Sequence, residues 1–598
     1  MKKLCLLLTL FINALIAQTI TVTRGPYLQQ ATPNSIIIKW KTSSATNTKV
    51  NYGVTQNNLI SFVTNTVSST NHEIKITGLS PYTKYYYSIG TTTSTLVTGA
   101  ADVFFKTMPN YGQKGDYRFW VIGDAGTGDN NQRNSKNAFL SYNNNRHIDG
   151  WIWLGDNAYD SGFNSEYQSN VFSNNTYENQ LKNIVVWPAA GNHDYNNHIP
   201  FSPSPAYLDI FSLPSNGECG GVPSGSEKYY SYNYGNIHFI VLESYDESRS
   251  VSGAMATWLQ SDLNANTQPW VIAYWHHPPY TKGSHNSDNS NFLDGELVDI
   301  RQNIIPILEA KGVDLVLNGH SHVYERSYLL DGHYGYSSSL TPAMKLDNTS
   351  GSYPTSCAYN KQTKTSSSHK GTVYVVCGCS GKNDATPSSG WPHPAMYKYT
   401  NTVYGSMAVD VKDNKLEGKF ITSTGTVFDS FTIVKNAGGS KSYTVCPNEL
   451  ITLKSTFPDQ VNWFPSSQVA DSILFSSPVS TVVYATDLAG CIKDTFNINV
   501  ISNPLCSTTG LNEINSNNLS VYPTIIDESN NNLTIESLFS ISVVVKIIDI
   551  SGKEIQKDFI DIVEGKNTLS IPKTLSSGIY FLIIKSDSNE KNYKLYVK

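Results

Sequence analysis

The chain has 598 residues, with 43 basic against 48 acidic side chains and a formal net charge of −5. That near-balance excludes a nucleic-acid binder, which would concentrate positive charge on one face. Only 15% of the residues are charged while tyrosine alone contributes 37, a composition of β-rich exported modules rather than of a cytosolic helical enzyme.

The first element is "MKKLCLLLTLFINALIAQ". Two lysines precede a short apolar run, the charged and apolar regions of a secretory signal, and Ala17 supplies the small residue before a cut. Leu15, two positions earlier, is larger than the alanine preferred there. The run is too short to span a bilayer, and no later stretch is apolar over 18 residues. The expectation is a signal peptide over 1–17, a mature chain from near Gln18, and a protein that is secreted or held at the cell surface. Cys5 leaves with the signal. Cys219, Cys357, Cys377, Cys379, Cys446, Cys491 and Cys506 remain, and most should pair after export. Cys446 with Cys491 is the favoured pair, since both lie in one short β-patterned segment. Cys377-Gly378-Cys379 reads as disulfide-forming rather than as half of a zinc site, because no second cysteine pair has suitable spacing.

Residues 18–110 hold short alternating runs such as "SIIIKWKT", "HEIKITGL" and "KYYYSIG" between turn residues, the pattern of a small β-sandwich. "GLSPYTKYYYSIG" resembles the tyrosine-corner segment of fibronectin type III domains. From 115 to 435 the pattern changes. Near-continuous apolar runs ("YRFWVI", "GWIWL", "IVVWPAA", "IHFIVL", "WVIAYW", "VDLVL") indicate strands buried on both faces. "MATWLQSDLNA" and "LVDIRQNIIPILEAKG" have helical spacing. Together they predict an α/β core, a layered β-sandwich flanked by helices. Residues 436–506 return to β patterning and predict an immunoglobulin-like sandwich. "NEINSNN" reads as a linker, and 515–598 are again β-rich. There "VYPT", "DISGKEI" and "SSGIYFLII" resemble the C-terminal sorting domains of proteins exported by the type IX system of Bacteroidetes, with Thr524 where that motif has Asn. The resemblance implies the type IX secretion machinery as a partner.

Chemistry gathers where the core runs end. Gly123-Asp124 follows "FWVI", Gly155-Asp156-Asn157-Ala158-Tyr159 follows "WIWL", and Gly191-Asn192-His193-Asp194 follows "VVWPAA". His276 and His277 follow "VIAYW", and Gly319-His320-Ser321-His322 follows "DLVLN". In open α/β sheets the site lies outside the carboxyl ends of the strands. Asp, Asn, His and Tyr offer oxygen and nitrogen donors without thiolate, which suits a hard or borderline metal. They outnumber the ligands of one tetrahedral site and suffice for two metals sharing a carboxylate, the usual clamp for displacement at phosphorus.

These blocks resemble those of the metallophosphoesterases, and specifically of the purple acid phosphatases. Generic metallophosphoesterases carry a His two residues after the first Asp; Gly126 stands there, and Tyr159 follows the second Asp by three. The resemblance implies that Asp124, Tyr159 and His322 bind Fe(III), that Asp156 bridges, and that Asn192, His276 and His320 hold a divalent ion: Fe(II), Zn(II) or Mn(II). A phenol ionises near pH 10, so its ligation under acid conditions calls for a strong Lewis acid such as ferric iron. His193 would bind phosphate or protonate the leaving group. His285 matches a further substrate-binding histidine, whose usual neighbouring histidine is here Asn286. His276 aligns better than His277, although adjacent histidines leave either available. Ala273 replaces the valine that usually starts the fourth block.

The implied activity is hydrolysis of small phosphate monoesters by metal-bound hydroxide, with an acidic optimum and a violet colour. Two other readings stand beside it: a phosphodiesterase or nucleotidase on the same metal core, and a non-catalytic surface adhesin. His238, His147 and His72 read as packing or surface residues. His393 could line the rim. Glu325 and Arg326 could support the metal loop or pair locally.

Overall fold

A computed structural model describes residues 19–598 apart from 174, 196–204, 292–293, 362–369, 384–385, 502–518, 524, 527–530, 539, 573–574 and 587–589. The signal-peptide reading and Thr524 lie outside the described residues. The chain divides into two units by contact density. One runs to Lys441 and includes Leu453–Ile473 and Val483–Thr495; the other comprises Ser442–Thr452, Leu474–Val482 and Phe496–Lys598.

In the first unit the N-terminal strands Val22–Gln29, Ser35–Gly53, Ser61–Thr77, Lys84–Gly90, Thr95–Val97 and Phe104–Lys106 form one hydrogen-bonded sheet. The long strand Ser35–Gly53 pairs first with Val22–Gln29 and then, beyond register shifts between Lys41 and Thr48, with Lys84–Gly90. The Tyr85 hydroxyl accepts from the Ser80 N–H at 3.0 Å, the contact that gives a tyrosine corner its name. Several contacts join this sheet to the α/β core. The Tyr27 hydroxyl donates to the Ile210 carbonyl at 2.7 Å, and Leu28 bridges to Val185.

All six apolar runs of the core are strands. Asp116–Ile122, Gly150–Leu154 and Val186–Ala189 pair in parallel and continue a seven-stranded sheet whose other strands are Tyr359–Lys361, Val427–Lys435, Lys415–Thr422 and Gly405–Lys412. Ile237–Val241, Trp270–Tyr274 and Leu315–Asn318 run in parallel inside a second seven-stranded sheet with Tyr230–Tyr234, Val373–Cys377, Tyr324–Ser327 and Met396–Thr400. The sheets face each other through aromatic pairs. Trp187 stacks on Tyr232 at 3.9 Å, and Phe119 meets Phe239 at 4.8 Å. Such pairs contribute about 0.5–1.5 kcal/mol each beyond burial. Helix Asn130–Asn143 covers the outer face of the first sheet, with Phe139 stacked on Trp120 at 4.6 Å. It starts at Asp129, whose carboxylate accepts from the N–H groups of Asn131 and Gln132. Helix Ala254–Ala265 and the helical run 295–309, which includes the π turn Ile300–Ile304, pack Trp258, Leu259, Ile304 and Leu308 against the outer face of the second sheet.

Residues 439–500 are strands, as their patterning predicts, but the division between the two units runs through this segment rather than around it. The cysteines differ from expectation. Cys491 pairs with Cys357, 134 residues away, and not with Cys446, which is itself in a disulfide. Nearness in sequence misled because Cys491 lies at a strand-to-strand turn that reaches the loop before Tyr359–Lys361. Cys377 and Cys379 are buried free thiols, as is Cys219. Residues 377 and 379 lie at the end of a core strand, where their thiols neighbour each other without a bond between them.

The second unit contains two sheets at its C-terminal end. Leu519–Tyr522, Asn532–Ser537 and Gly565–Ser570 form one; Ile525–Ile526, Glu590–Val597, Gly578–Lys585, Ile541–Asp549 and Glu554–Ile562 form the other. Alternate residues, among them Leu533, Ile535, Val545, Ile547, Leu582 and Ile584, bury as the core between them. Among the described residues no helix is long and apolar enough to cross a membrane.

Candidate metal centre

Five strand ends converge on one place. Asp116–Ile122, Gly150–Leu154 and Val186–Ala189 deliver Asp124, Asp156 and Asn192 from the first sheet; Trp270–Tyr274 and Leu315–Asn318 deliver His276 and His320 from the second. Asp124, Asp156 and His320 all have positive φ, at 54°, 52° and 66°. Such backbone costs a residue with a side chain about 1–3 kcal/mol and persists where the surroundings fix it. The glycines before two of the ligands are required by close approach. A Cβ on Gly191 would lie 2.2 Å from Asp156 Oδ1, and one on Gly319 would lie 2.5 Å from Asp124 Oδ2.

The seven side chains fall into two groups that share Asp156. In the first, the Tyr159 hydroxyl lies 3.1 Å from Asp124 Oδ1, 2.9 Å from Asp156 Oδ2 and 3.4 Å from His322 Nε2. In the second, His276 Nε2 lies 3.1 Å from Asn192 Oδ1, 3.3 Å from Asp156 Oδ1 and 3.2 Å from His320 Nδ1. Asp156 thus turns one oxygen to each group. One atom each of Asp124, Asp156 and His276 lie within 4.8 Å of one another, all on buried residues.

This donor set fits cations. His276 Nδ1 donates to the Leu154 carbonyl at 2.9 Å, which orients the ring and turns Nε2 toward two oxygens and a nitrogen. Burial opposes a charge on His276, yet Asp156 and Asp124 raise it to about 9. Burial raises Asp124 to about 6, with Asp156 adding to it. Asp156 keeps its negative charge against burial because His276 and His193 hold it well below the usual carboxylate range. Burial and both carboxylates push the Tyr159 phenol well above 10, so its ionised form needs a strong positive charge beside it. Burial and the surrounding histidines keep His320 neutral, the form in which imidazole ligates.

His193 and His285 stand next to the two groups. The His193 N–H donates to Asp156 Oδ1 at 2.9 Å, its ring lies 4.7 Å from that of Tyr159, and its Nδ1 reaches the Asp160 carbonyl at 2.6 Å. His285 stacks on His320 at 3.8 Å, and its Nδ1 meets Asp294 Oδ1 at 2.9 Å. The His277 ring packs 4.1 Å from that of His320, but its Nδ1 is taken up by the Ser244 hydroxyl at 2.8 Å. His393 is buried beside Tyr280 and His333 and not at a rim. His238 is held by Asp262 and Asn233.

Several supporting residues carry little or no signal in the sequence. Asp194 accepts from the N–H and the side-chain amide of Asn157, from the Gly191 N–H and from the Tyr167 hydroxyl, tying the loop of Asp156 to the loop of Asn192. Its place directly after Asn192-His193 is the one available signal. Asp294 has none. Arg326 makes a two-point pair with Asp429, Nε to Oδ2 at 2.6 Å and Nη2 to Oδ1 at 2.9 Å, and the Tyr324 hydroxyl joins it at 2.8 Å. Asp429 belongs to the other sheet, so this pair ties the strand after the His320 loop across the core rather than locally.

Three family comparisons match. Residues 25–107 match the purple acid phosphatase N-terminal domain, 117–324 the calcineurin-like phosphoesterases, and 520–598 the secretion system C-terminal sorting domain. Purple acid phosphatase 15 of Arabidopsis thaliana is 30% identical over 43% of this chain and 49% of its own length; purple acid phosphatase 13 of the same plant is 30% identical over 43% and 50%. The chain spans about half the length of these relatives. The purple acid phosphatase PPD1 of yellow lupin (Lupinus luteus) shares the fold, with a TM-score of 0.52 at 19% identity over 69% of this chain and 75% of that one.

Proposed function

From a chain that carries a calcineurin-like phosphoesterase domain behind a purple acid phosphatase N-terminal domain, we propose an exported acid phosphatase that hydrolyses small phosphate monoesters. The observation that carries this reading is the division of seven donors into two groups by the two oxygens of Asp156. Asp124, Tyr159 and His322 would hold Fe(III); Asn192, His276 and His320 would hold the divalent ion; Asp156 would serve both. Bound there, such a pair supplies positive charge to the phosphoryl oxygens and acidifies a water for in-line attack.

The chain's own groups do the rest. Hydrogen-bonded to the Asp160 carbonyl through Nδ1, His193 has its mobile proton on Nε2, where it can stabilise charge on a phosphoryl oxygen or protonate the departing alkoxide. Asp294 orients His285 in the same manner, which makes His285 the second candidate for that proton. Either histidine would act by giving its Nε2 proton to the departing alkoxide. The C-terminal sorting domain supports export through type IX machinery.

The test is metal analysis with a visible spectrum and a substrate pair at pH 5. The reading expects iron and one divalent ion per chain, a violet band, and faster turnover of 4-nitrophenyl phosphate than of bis(4-nitrophenyl) phosphate. Preference for the diester would move the assignment to a phosphodiesterase. A colourless, metal-free and inactive protein would favour the adhesin.

A further inference from the structure

A polar cleft of ≈ 350 Å³ opens beside Tyr159, with Thr127, Asn131, Asp160, Lys382, Asn383 and Tyr404 among its lining residues. That volume is at the small end of ligand pockets. Lys382 Nζ lies 4.7 Å over the Tyr159 ring and 3.7 Å from Asp160 Oδ1. Asp160 is 77% exposed, and at that separation the two charges form a loose pair in water rather than a closed salt bridge. Asp129, which also lines the cleft, is already committed to the helix start and to the Thr127 hydroxyl.

We propose that this cleft is a subsite for the alcohol of the substrate, and that it selects hydroxyl-rich alcohols, the class of sugar and polyol phosphates. The inference rests on the phosphatase reading. A donor and an acceptor held 3.7 Å apart on the cleft wall are both satisfied by one hydroxyl, which accepts from Lys382 and donates to Asp160. The remaining lining is polar apart from the half-buried Tyr404 ring, against which the carbon face of a sugar can lie. An aryl or alkyl leaving group would bury those polar atoms without satisfying them, which is how polar sites reject apolar analogues. The Asp160 carbonyl also carries His193, so an alcohol seated here has its ester oxygen on the same side as the proposed acid.

The experiment compares kcat/KM for glucose 6-phosphate with that for 4-nitrophenyl phosphate in the native protein and in Lys382→Met. Native protein should favour the sugar ester, and Lys382→Met should lower the sugar-to-aryl ratio about tenfold, through KM, as expected for one lost charge-assisted hydrogen bond. Iron content and the visible band should stay unchanged. Equal losses on both esters, or a shifted band, would mean that Lys382 acts through Tyr159 and would overturn the subsite. An unchanged ratio would overturn it too. If the native protein hydrolyses neither ester, it is the phosphatase reading that fails.

Discussion

Residue-scale consequences start with Tyr159 and His276. Tyr159→Phe removes the phenol that lies against both carboxylates, so the visible band of the iron-loaded protein should vanish, which absorption spectroscopy checks. His276→Ala should cost one equivalent of metal and at least about 10²-fold in activity, beyond what loss of a supporting residue usually costs. His277→Ala, beside it, should keep the full metal stoichiometry while lowering the melting temperature, because its ring is buried against His320 and hydrogen-bonds Ser244 rather than any of the seven donors. The sequence allowed either histidine. What separates them is the backbone at the strand end: one side chain must turn toward the site and the next toward the core, and only the Leu154 carbonyl and the Ser244 hydroxyl say which. All seven donors were legible because each stands next to a strand end of unusual apolarity. Asp294 and Asp429 were not, since their partners come from distant segments.

The elements around the site set its pH response and rigidity. On strand Tyr324–Ser327 the side chains alternate. Tyr324 and Arg326 reach across to Asp429, while Glu325 points to the Thr281 hydroxyl on the other side. Removing one partner of such a buried pair costs about 3–5 kcal/mol, so Asp429→Ala should lower stability by that order, measured by denaturant unfolding. Burial raises Glu325 from 4.5 to about 8. The native state therefore retains a proton that the unfolded chain gives up at lower pH. Glu325 contributes stability that is full below about 4.5 and is lost as pH rises through its folded value of about 8. Glu325→Gln should flatten the fall in melting temperature between pH 5 and pH 8. That "YERS" forms a buried strand was not readable, because three of its four side chains are polar and their partners come from distant segments.

At the scale of the molecule, the Cys357–Cys491 bridge closes a 134-residue separation within one unit. Replacing both cysteines by serine should cost about 2–4 kcal/mol and leave the metal content unchanged, because neither lies among the site residues. The order of modules was legible from changes in hydrophobic period. The disulfide partners and the line between units were not: both depend on how far apart in the chain two surfaces meet, which no local pattern encodes.

The donors come from both seven-stranded sheets, three strand ends from one and two from the other. Any ion held among them is therefore a rivet through the sandwich as well as a cofactor. Its binding free energy adds to the cohesion of the core by mass action, and a chelator should act on this protein as a mild denaturant. Loss of metal would then be felt far from the site, as faster amide exchange in strands Trp270–Tyr274 and Gly150–Leu154 together, so that the protein would hold its shape best where such ions are in supply.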